Sequence, residues 1–491
     1  MNKGVDRNEK KTAVLIFVIL LSSYAYFFPR WADWNQNSRL DQAIAIVEKG
    51  VLYIDDYYQN TGDYAFFEGH YYSDKAPGTA FLGIPAYWLF RTLARTTLVS
   101  ELAAHLERSS AVGDTLLRDG TGIRPAKVHD ALALYVITFL TVSVPSALLG
   151  VLLYAFLAYL TPIHKFRLEL TLAYGLATMA FPYSWAFIGH QIAAVSLFSS
   201  FALVFRSKVE GRSSVLRLLL VGFLLGYAVI TEYPTIFAVA PLFLYSLCVL
   251  RDKWRIAWIL VGSMLPALAA AIYNLSIYHT PLPVAYNYSV LFPQHFHTGF
   301  MGFRFPTPEA LWGLTFSLYR GLFTLSPFLI LAIPGFVIWF RAQEYRAEFL
   351  TTLASVVLLF VFISGMTTWS GNFSVGPRHL CAILPFLVVP IVFFLNRFRT
   401  WGHLVSLVLV LASLISVWVQ TVSGQGFPDE SVPFPLLQFS LPRFLAGDIA
   451  RNVGTILGLR RWFSLVPIVV VIVGGLLWLG VSKRKPVPAD H

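Results

Sequence analysis

The chain has 491 residues, of which 56% are hydrophobic and only 13% are charged, and its mean hydropathy is +0.64. A soluble domain carries about 25% charged residues, so this composition excludes a soluble globular protein. The net charge of +11 does not indicate nucleic-acid binding, because the cytoplasmic loops of membrane proteins collect Lys and Arg.

Apolar runs long enough to cross a bilayer recur along the whole chain. Backbone polar groups in lipid must pair within their own segment, so these runs predict an all-α polytopic membrane protein. Residues 1–12 are basic and lead into a long apolar run without a small-residue cleavage site, which favours a signal anchor over a cleaved signal peptide. About twelve transmembrane helices are expected, at residues 13–29, 131–160, 169–186, 191–205, 216–231, 235–250, 256–275, 323–340, 349–366, 380–396, 401–420 and 463–481.

Basic residues predict the orientation of these spans. With the N-terminus in the cytoplasm, every short basic loop falls on the cytoplasmic side, and these loops hold about 20 of the 37 Lys and Arg. The pattern requires that residues 79–98 are not a span, so they are interpreted as an interfacial or partly re-entrant helix on the outer side. A transmembrane domain over residues 13–481 is therefore predicted between a cytoplasmic N-terminus, 1–12, and a basic cytoplasmic tail, 482–491. Its long outer loops are expected at residues 30–130, 276–322 and 421–462.

A helix is expected early in the first outer loop, over residues 38–50. Ser38 is typical of a helix cap, Gly50 is typical of a helix end, and Leu40, Ile44 and Val47 form an apolar stripe. This pattern predicts an amphipathic helix at the outer surface. Asp41 then has two interpretations, as part of a capping box or as a catalytic carboxylate.

Acidic and aromatic residues alternate after this helix, and they include Asp55, Asp56 and Tyr72. Aromatic rings pack on sugars and carboxylates bind sugar hydroxyls, whereas many such rings also form belts at membrane interfaces. The Asp74-Lys75 pair, followed by Pro77 and Gly78, is interpreted as functional rather than as a surface ion pair.

Other polar residues are predicted at the outer ends of spans, where ionisable groups are costly and are often functional. His190 lies at the mouth of the third and fourth spans, and Glu232 lies in the short turn between the fifth and sixth. Arg378, in a Gly-Pro-Arg stretch, is placed to bind phosphate through two N–H groups. His295 and His297 are a weak metal motif because no carboxylate lies nearby.

The stretch Tyr72-Ser73-Asp74-Lys75-Ala76-Pro77, preceded by a first span and a surface helix that ends in Gly, resembles the GT-C glycosyltransferases. The similarity is to the branch of protein O-mannosyltransferases and aminoarabinose transferases, the glycosyltransferase 39 and 83 group. The Gly-Pro-Arg stretch at Arg378 is also similar to one in bacterial membrane glycosyltransferases. The motifs cover about the first 100 residues, and the rest of the chain resembles the family only in architecture.

The resemblance implies sugar transfer from a polyprenyl-phosphate donor to a hydroxyl of a cell-envelope glycan, lipid or protein. The reaction is expected at the outer face of the cytoplasmic membrane. Asp74 would handle the acceptor hydroxyl, and Lys75 would hold the donor phosphate with Arg378, Glu232, His190 and Tyr72 nearby. The family's Asp-Glu pair falls here on the amides Asn35 and Gln36, so Asp41, Asp33, Asp55 or Asp56 would replace it. No cofactor is required by these residues, and a divalent cation is an open alternative.

A transporter or lipid-linked-glycan flippase is the alternative function. That class buries charges at the bilayer midplane on broken helices, whereas the charges here cluster at predicted span ends. A structural scaffold is a weaker option, because it does not need the density of acids and bases in the first loop.

Overall fold

The computed structural model describes residues 7–31, 33–108, 127–293 and 302–481. The described chain is mostly helical, and six of its helices are long and apolar enough to cross a membrane. They are Val128–Leu157, Gly189–Glu210, Lys253–Tyr278, Arg346–Ser364, Arg378–Val422 and Arg461–Leu479. The structure is therefore that expected of a helical multi-pass membrane protein. The predicted tail 482–491 and His295 and His297 lie outside the described residues.

Helices and turns follow one another along the chain with few long loops. The helices are α1 (Arg7–Ala25), α2 (Trp34–Lys49), α3 (Gly78–Ala94), α4 (Thr97–Glu107), α5 (Val128–Thr138), α6 (Val144–Leu157), α7 (His164–Leu176), α8 (Ala180–Tyr183), α9 (Gly189–Glu210), α10 (Val215–Thr231), α11 (Ile236–Val249), α12 (Ile256–Tyr278), α13 (Pro308–Thr315), α14 (Leu322–Leu325), α15 (Ala332–Ala342), α16 (Arg346–Ser364), α17 (Leu384–Val422), α18 (Leu441–Leu445), α19 (Val453–Ile456) and α20 (Val466–Val481). Shorter 3₁₀ turns cover Tyr58–Asn60, Tyr233–Thr235, Lys253–Arg255, Ala285–Tyr288, Pro327–Leu331, Arg378–Ile383 and Arg461–Leu465, and π turns cover Phe139–Ser143 and Pro435–Ser440.

Some predicted spans are not single helices. The span predicted at 169–186 breaks after α7, and the chain passes through the short helix α8 before α9 begins at Gly189. Thr178 accepts a hydrogen bond from the N–H of Ala180 at the break, which satisfies a backbone donor that the helix leaves open. Inside α17, Arg399 has a φ of 42°, so the helix breaks there, between the spans predicted at 380–396 and 401–420.

The helix of the first loop begins earlier than predicted and lies in the interior. Asp33 caps α2 by accepting a hydrogen bond from the N–H of Asn35, and Gly50 ends the helix in the left-handed conformation. Ser38 is therefore not the cap, and Asp41 is in the middle of the helix, so the predicted capping box is wrong. The residues from Asn35 to Ala45 are all buried, which contradicts a helix exposed on one face.

A two-stranded hairpin, which was not predicted, follows α2. Strands β1 (Tyr64–Phe67) and β2 (His70–Ser73) pair in antiparallel register, and the turn residues Glu68 and Gly69 both have positive φ, as a tight hairpin turn requires. Ser38 donates to the backbone oxygen of Asp63, and its hydroxyl lies 2.7 Å from that of Ser73. These contacts hold the residue before β1 and the last residue of β2 against α2. Asp74 and Lys75 follow directly, so their position is fixed as well.

Helices α10 and α12 pack with almost no side chain between them. A Cβ on Gly222 would lie 1.9 Å from the backbone oxygen of Ile259, and one on Gly262 would lie 2.1 Å from that of Leu219. Small residues at such crossings let two helix backbones approach closely, as is common in membrane proteins. The close crossing fixes α10, whose C-terminal end carries Glu232.

Candidate functional site

Lys75 is the centre of a buried ionic cluster. Its ammonium lies 3.0 Å from Asp63 Oδ2 and 3.0 Å from Asp74 Oδ1, and the Asp74 side chain has no exposed surface. Ser289 donates a hydrogen bond of 3.1 Å to the other oxygen of Asp74, Oδ2. The ammonium also lies over the ring of Tyr286, 5.9 Å from its centroid. Asp74 is thus held by an ion pair at Oδ1 and a hydrogen bond at Oδ2, and Lys75 is fixed between two carboxylates.

Glu232 is the centre of a second cluster. Its Oε1 atom lies 3.5 Å from Arg39 Nη2 and 3.3 Å from His190 Nδ1. The ring of His379 meets that of His190 edge to face at 5.3 Å. Glu232 ends α10, His190 lies in the first turn of α9, and Arg39 lies on α2, so three helices bring these groups together.

A short loop before α17 carries Arg378 to the same region. Arg320, which is 1% exposed, donates to the backbone oxygens of Ser374 at 2.9 Å and Asn372 at 2.7 Å. Tyr183 also donates to the backbone oxygen of Val375. These buried bonds fix the loop that positions Arg378, and the Arg378 Nε is buried without a hydrogen-bond partner among the described residues.

The two clusters and Arg378 act on one another electrostatically. Burial raises the pKa of Glu232, and the charges of Arg39, Arg378 and Lys75 oppose that rise. Burial likewise raises the pKa of Asp74, and Lys75 opposes the rise. Burial alone would lower the pKa of Lys75, but the carboxylates outweigh it and raise that pKa above its usual value. The region thus contains three cations beside buried carboxylates.

A small cavity of about 10 Å³ lies beside Glu232, and its lining includes His190, His379 and Thr235. This volume is close to that needed for one water molecule or hydroxyl group. The Nε2 atom of His190 and the hydroxyl of Thr235 are buried without hydrogen-bond partners among the described residues. The cavity therefore offers polar contacts to a hydroxyl group next to a carboxylate.

The structure does not bring all the predicted site residues together. Asp41 is 1% exposed and accepts a hydrogen bond from Asn60, and the charges that act on it belong to Lys127 and Asp130. Asp55 accepts a bond from the backbone N–H of Tyr71 and lies 2.7 Å from His70, so it holds the hairpin. Neither carboxylate joins the Lys75 or Glu232 cluster, in contrast to the catalytic role predicted for each.

Tyr72 lies at the edge of the region. It packs with Tyr273 and Tyr278 in a buried aromatic cluster, with a centroid distance of 6.0 Å to Tyr278. Its ring therefore belongs to this aromatic cluster, two residues before Asp74.

Sequence reasoning missed four residues of the site: Asp63, Arg39, Ser289 and His379. Asp63 is one of several acids in an acidic segment, so composition alone did not single it out. Arg39 lies inside a helix that was predicted to be half exposed, and its pairing with Glu232 depends on that helix being buried. Ser289 carried no signal in the sequence, whereas His379 follows Arg378 directly and could have been predicted from that position.

No group of three His, Cys, Asp or Glu side chains that could hold a metal ion occurs within the described ranges. Comparison of the chain with models of protein families and with curated proteins finds no match.

Proposed function

We propose that the protein is an integral-membrane glycosyltransferase of the GT-C type with about twelve spans and both termini in the cytoplasm. It transfers a sugar from a polyprenyl-phosphate donor to an acceptor hydroxyl at the outer face of the cytoplasmic membrane. The observation that carries the proposal is the convergence of Lys75, Arg39 and Arg378 with the carboxylate of Glu232. These residues come from four separate parts of the chain and meet where several helices end.

The cations are suited to hold a phosphate that gains charge as it leaves. Fixed positive groups in a poorly hydrated site stabilise such charge more than they would in water. Lys75 is held by two carboxylates, Arg39 is 2% exposed, and the loop of Arg378 is bonded to Arg320. Lys75 and the loop of Arg378 are therefore held in place before the reaction, which favours electrostatic catalysis.

Glu232 is better placed than Asp74 to act as the base. Both oxygens of Asp74 are engaged, by Lys75 and Ser289, and its side chain is fully buried. The Glu232 side chain is 17% exposed and borders the cavity.

In the proposed step the acceptor oxygen attacks C1 of the sugar and its proton passes to Glu232. The bond between C1 and the phosphate oxygen breaks, and its electron pair leaves with the phosphate. Asp74 then has a positioning role toward Lys75.

Sugar transfer by the purified protein tests the proposal. The protein in liposomes is given radiolabelled polyprenyl-phosphate sugars and a cell-envelope extract, beside Lys75→Ala and Glu232→Gln variants. Glu68→Gln is the matched control, because Glu68 lies at an exposed position of the same loop and has no assigned role in the site. Transfer that is lost in both site variants and kept in the control supports the function. Absence of transfer with every donor, from correctly folded protein, overturns it.

One observation favours the alternative function of a transporter or flippase. The chain between α7 and α9 is a broken, buried segment, as in carriers that bind their substrate between half-helices. Movement of labelled lipid-linked sugar across the liposome membrane, with no transfer to an acceptor, would support that class instead.

A further inference from the structure

Arg30 and Arg451 are two buried cations that belong to neither the Lys75 nor the Glu232 cluster, and the charge of Arg451 acts on Arg30. Arg30 is 4% exposed and Arg451 is 8% exposed. The backbone N–H of Phe28 donates to the backbone oxygen of Arg451, and Phe27 forms a β-bridge with Asn452. These contacts join the end of the first predicted span, just before Arg30, to the third predicted outer loop.

The Arg30 side chain is held by two aromatic rings and one hydrogen bond. Its guanidinium lies 4.3 Å from the ring centroid of Phe427 and 5.1 Å from that of Trp185. One nitrogen, Nη2, donates to the backbone oxygen of Thr421 at 2.5 Å. The ring contacts and this one bond fix the guanidinium, but they leave its other N–H groups unused.

Six buried polar atoms of this cluster, which consists of Arg30, Trp185, Thr421 and Arg451, have no hydrogen-bond partner among the described residues. They are Arg30 Nε and Nη1, Trp185 Nε1, Thr421 Oγ1, and Arg451 Nη1 and Nη2. All six are donors, and the five nitrogens cannot accept a hydrogen bond at all. A ligand that completes this set must therefore supply acceptors, and the two guanidinium groups require that it be negatively charged.

Neither guanidinium has a carboxylate at ion-pair distance within the part of the chain that the structure describes. Asp33 and Asp448 act on Arg30 only at longer range, and burial lowers the pKa of Arg30 and of Arg451 to about 10. Both side chains are therefore charged at neutral pH. The charge of Arg451 also acts on Arg30 and opposes its ionisation. Buried charges without a compensating charge strongly destabilise a fold, so these two guanidinium groups indicate that an anion compensates them.

We propose that Arg30, Arg451, Trp185 and Thr421 form a binding site for a phosphate-class oxyanion, either free phosphate or the phosphate of an anionic lipid. The ligand oxygens accept hydrogen bonds from both guanidinium groups, the indole N–H and the threonine hydroxyl. Arginine suits this geometry because its planar fork of donors matches two oxygens of one phosphate. The site uses none of the residues assigned to the proposed transfer reaction, so its phosphate binding is tested without a transfer assay.

Binding to the wild-type protein is the first test. Detergent-purified protein in a chloride buffer at constant ionic strength is titrated with inorganic phosphate by calorimetry. The unfolding temperature of the same protein is then compared in nanodiscs of phosphatidylcholine with and without phosphatidylglycerol. A saturable response to inorganic phosphate identifies a free oxyanion, and a response only to phosphatidylglycerol identifies a lipid phosphate. No response in either format, with folded protein, overturns the proposal.

Charge-removing variants then locate the site. Arg30→Met and Arg451→Met should weaken binding at least tenfold, while Arg443→Met should not, because Arg443 is paired with Asp448 at a partly exposed position of the same loop. In buffer without phosphate, Arg451→Met should raise the unfolding temperature, because it removes an uncompensated charge. If either Met variant fails to fold, an Arg→Lys variant at that position is used instead. It keeps the charge but loses the planar pair of guanidinium donors, so it should also weaken binding. Binding that is equal in wild type and in every folded variant would overturn the assignment.

Discussion

Ser289 donates a hydrogen bond of 3.1 Å to Asp74, although 215 residues separate them in the chain. The bond ties the segment after α12 to the end of the hairpin, next to the Lys75 ammonium. A carboxylate that is held from both sides cannot turn toward a substrate, so Asp74 acts on the site through Lys75. Asp74 and Lys75 are thus fixed groups, whereas Glu232 borders the cavity.

Replacing Lys75 by Met should destabilise the protein at neutral pH, because it leaves two carboxylates without their cation. Loss of one partner of a buried ion pair typically costs about 3–5 kcal/mol. Burial already raises the pKa of Asp74, and removal of Lys75 raises it further, since Lys75 lowers it in the wild type. A carboxyl with a raised folded pKa stabilises the fold when it is protonated, and this contribution is lost as pH rises through that pKa. The variant should therefore regain stability as the pH falls.

The measurement is thermal unfolding from pH 7.5 down to pH 5, beside the double variant Lys75→Met/Asp74→Asn. The double variant should be more stable than the single one at pH 7.5 and should show less recovery with acid. Equal stability of the single and double variants throughout this range would contradict the pairing of Lys75 with Asp74.

Glu232→Gln should reduce sugar transfer by about 10²- to 10⁴-fold, the usual contribution of a general base. A base must be ionised to act, and burial raises the pKa of Glu232 above its usual 4.5. Transfer by the wild type should therefore decline with acid at a pH above 4.5. The pH profile of kcat/KM measures this decline, and an unchanged rate in Glu232→Gln would remove Glu232 from the mechanism.

Asp41→Asn and Asp55→Asn should both retain sugar transfer, within about twofold for Asp41→Asn. Asp41 is buried on the side of α2 where Lys127 and Asp130 act on it, and burial raises its pKa, so a neutral amide should be tolerated or stabilising. Asp55→Asn weakens the contact with His70 and should lower stability without abolishing transfer. Initial rates and unfolding temperatures distinguish the two effects. Loss of transfer in folded Asp41→Asn would instead support the catalytic role that the sequence predicted for Asp41.

The sequence was sufficient to predict the helical membrane class, and it singled out some residues that the structure brings together, because both depend on local patterns. Apolar runs predict helices wherever they fall, and Glu232 and His190 stood out as ionisable groups between apolar segments. The pairing of His190 with Glu232 could not be predicted, since it depends on how α9 and α10 pack.

The first loop was harder to predict for a physical reason. The helix pattern beginning at Ser38 indicated one buried face, whereas α2 packs against α3 and strand β2 of the hairpin, and its polar residues also lie in the interior. Arg39 and Ser38 are buried with partners that are distant in sequence, such as Glu232 and Ser73. Periodicity describes a helix against one surface, and it fails for a helix that is surrounded.

Arg320→Lys should weaken donor binding more than it slows the chemical step. The Arg320 guanidinium donates to two backbone oxygens at once, those of Ser374 and Asn372, and a lysine ammonium cannot reproduce this planar pair. The loop then loses a fixed position, and Arg378 is displaced from the place where the phosphate is expected to bind. Arg320 touches no reacting atom in this scheme, so it is a positioning residue.

Steady-state transfer kinetics separate these effects. KM for the polyprenyl-phosphate sugar should rise about tenfold in Arg320→Lys, with a smaller change in kcat, because part of the binding energy is used to reorder the loop. Arg346→Lys is the matched control, because Arg346 lies at the far end of α16 from the loop and takes no part in the site. A fall in kcat with an unchanged KM would instead place Arg320 in the chemical step, and no change in either would show that the loop keeps its position without the two hydrogen bonds.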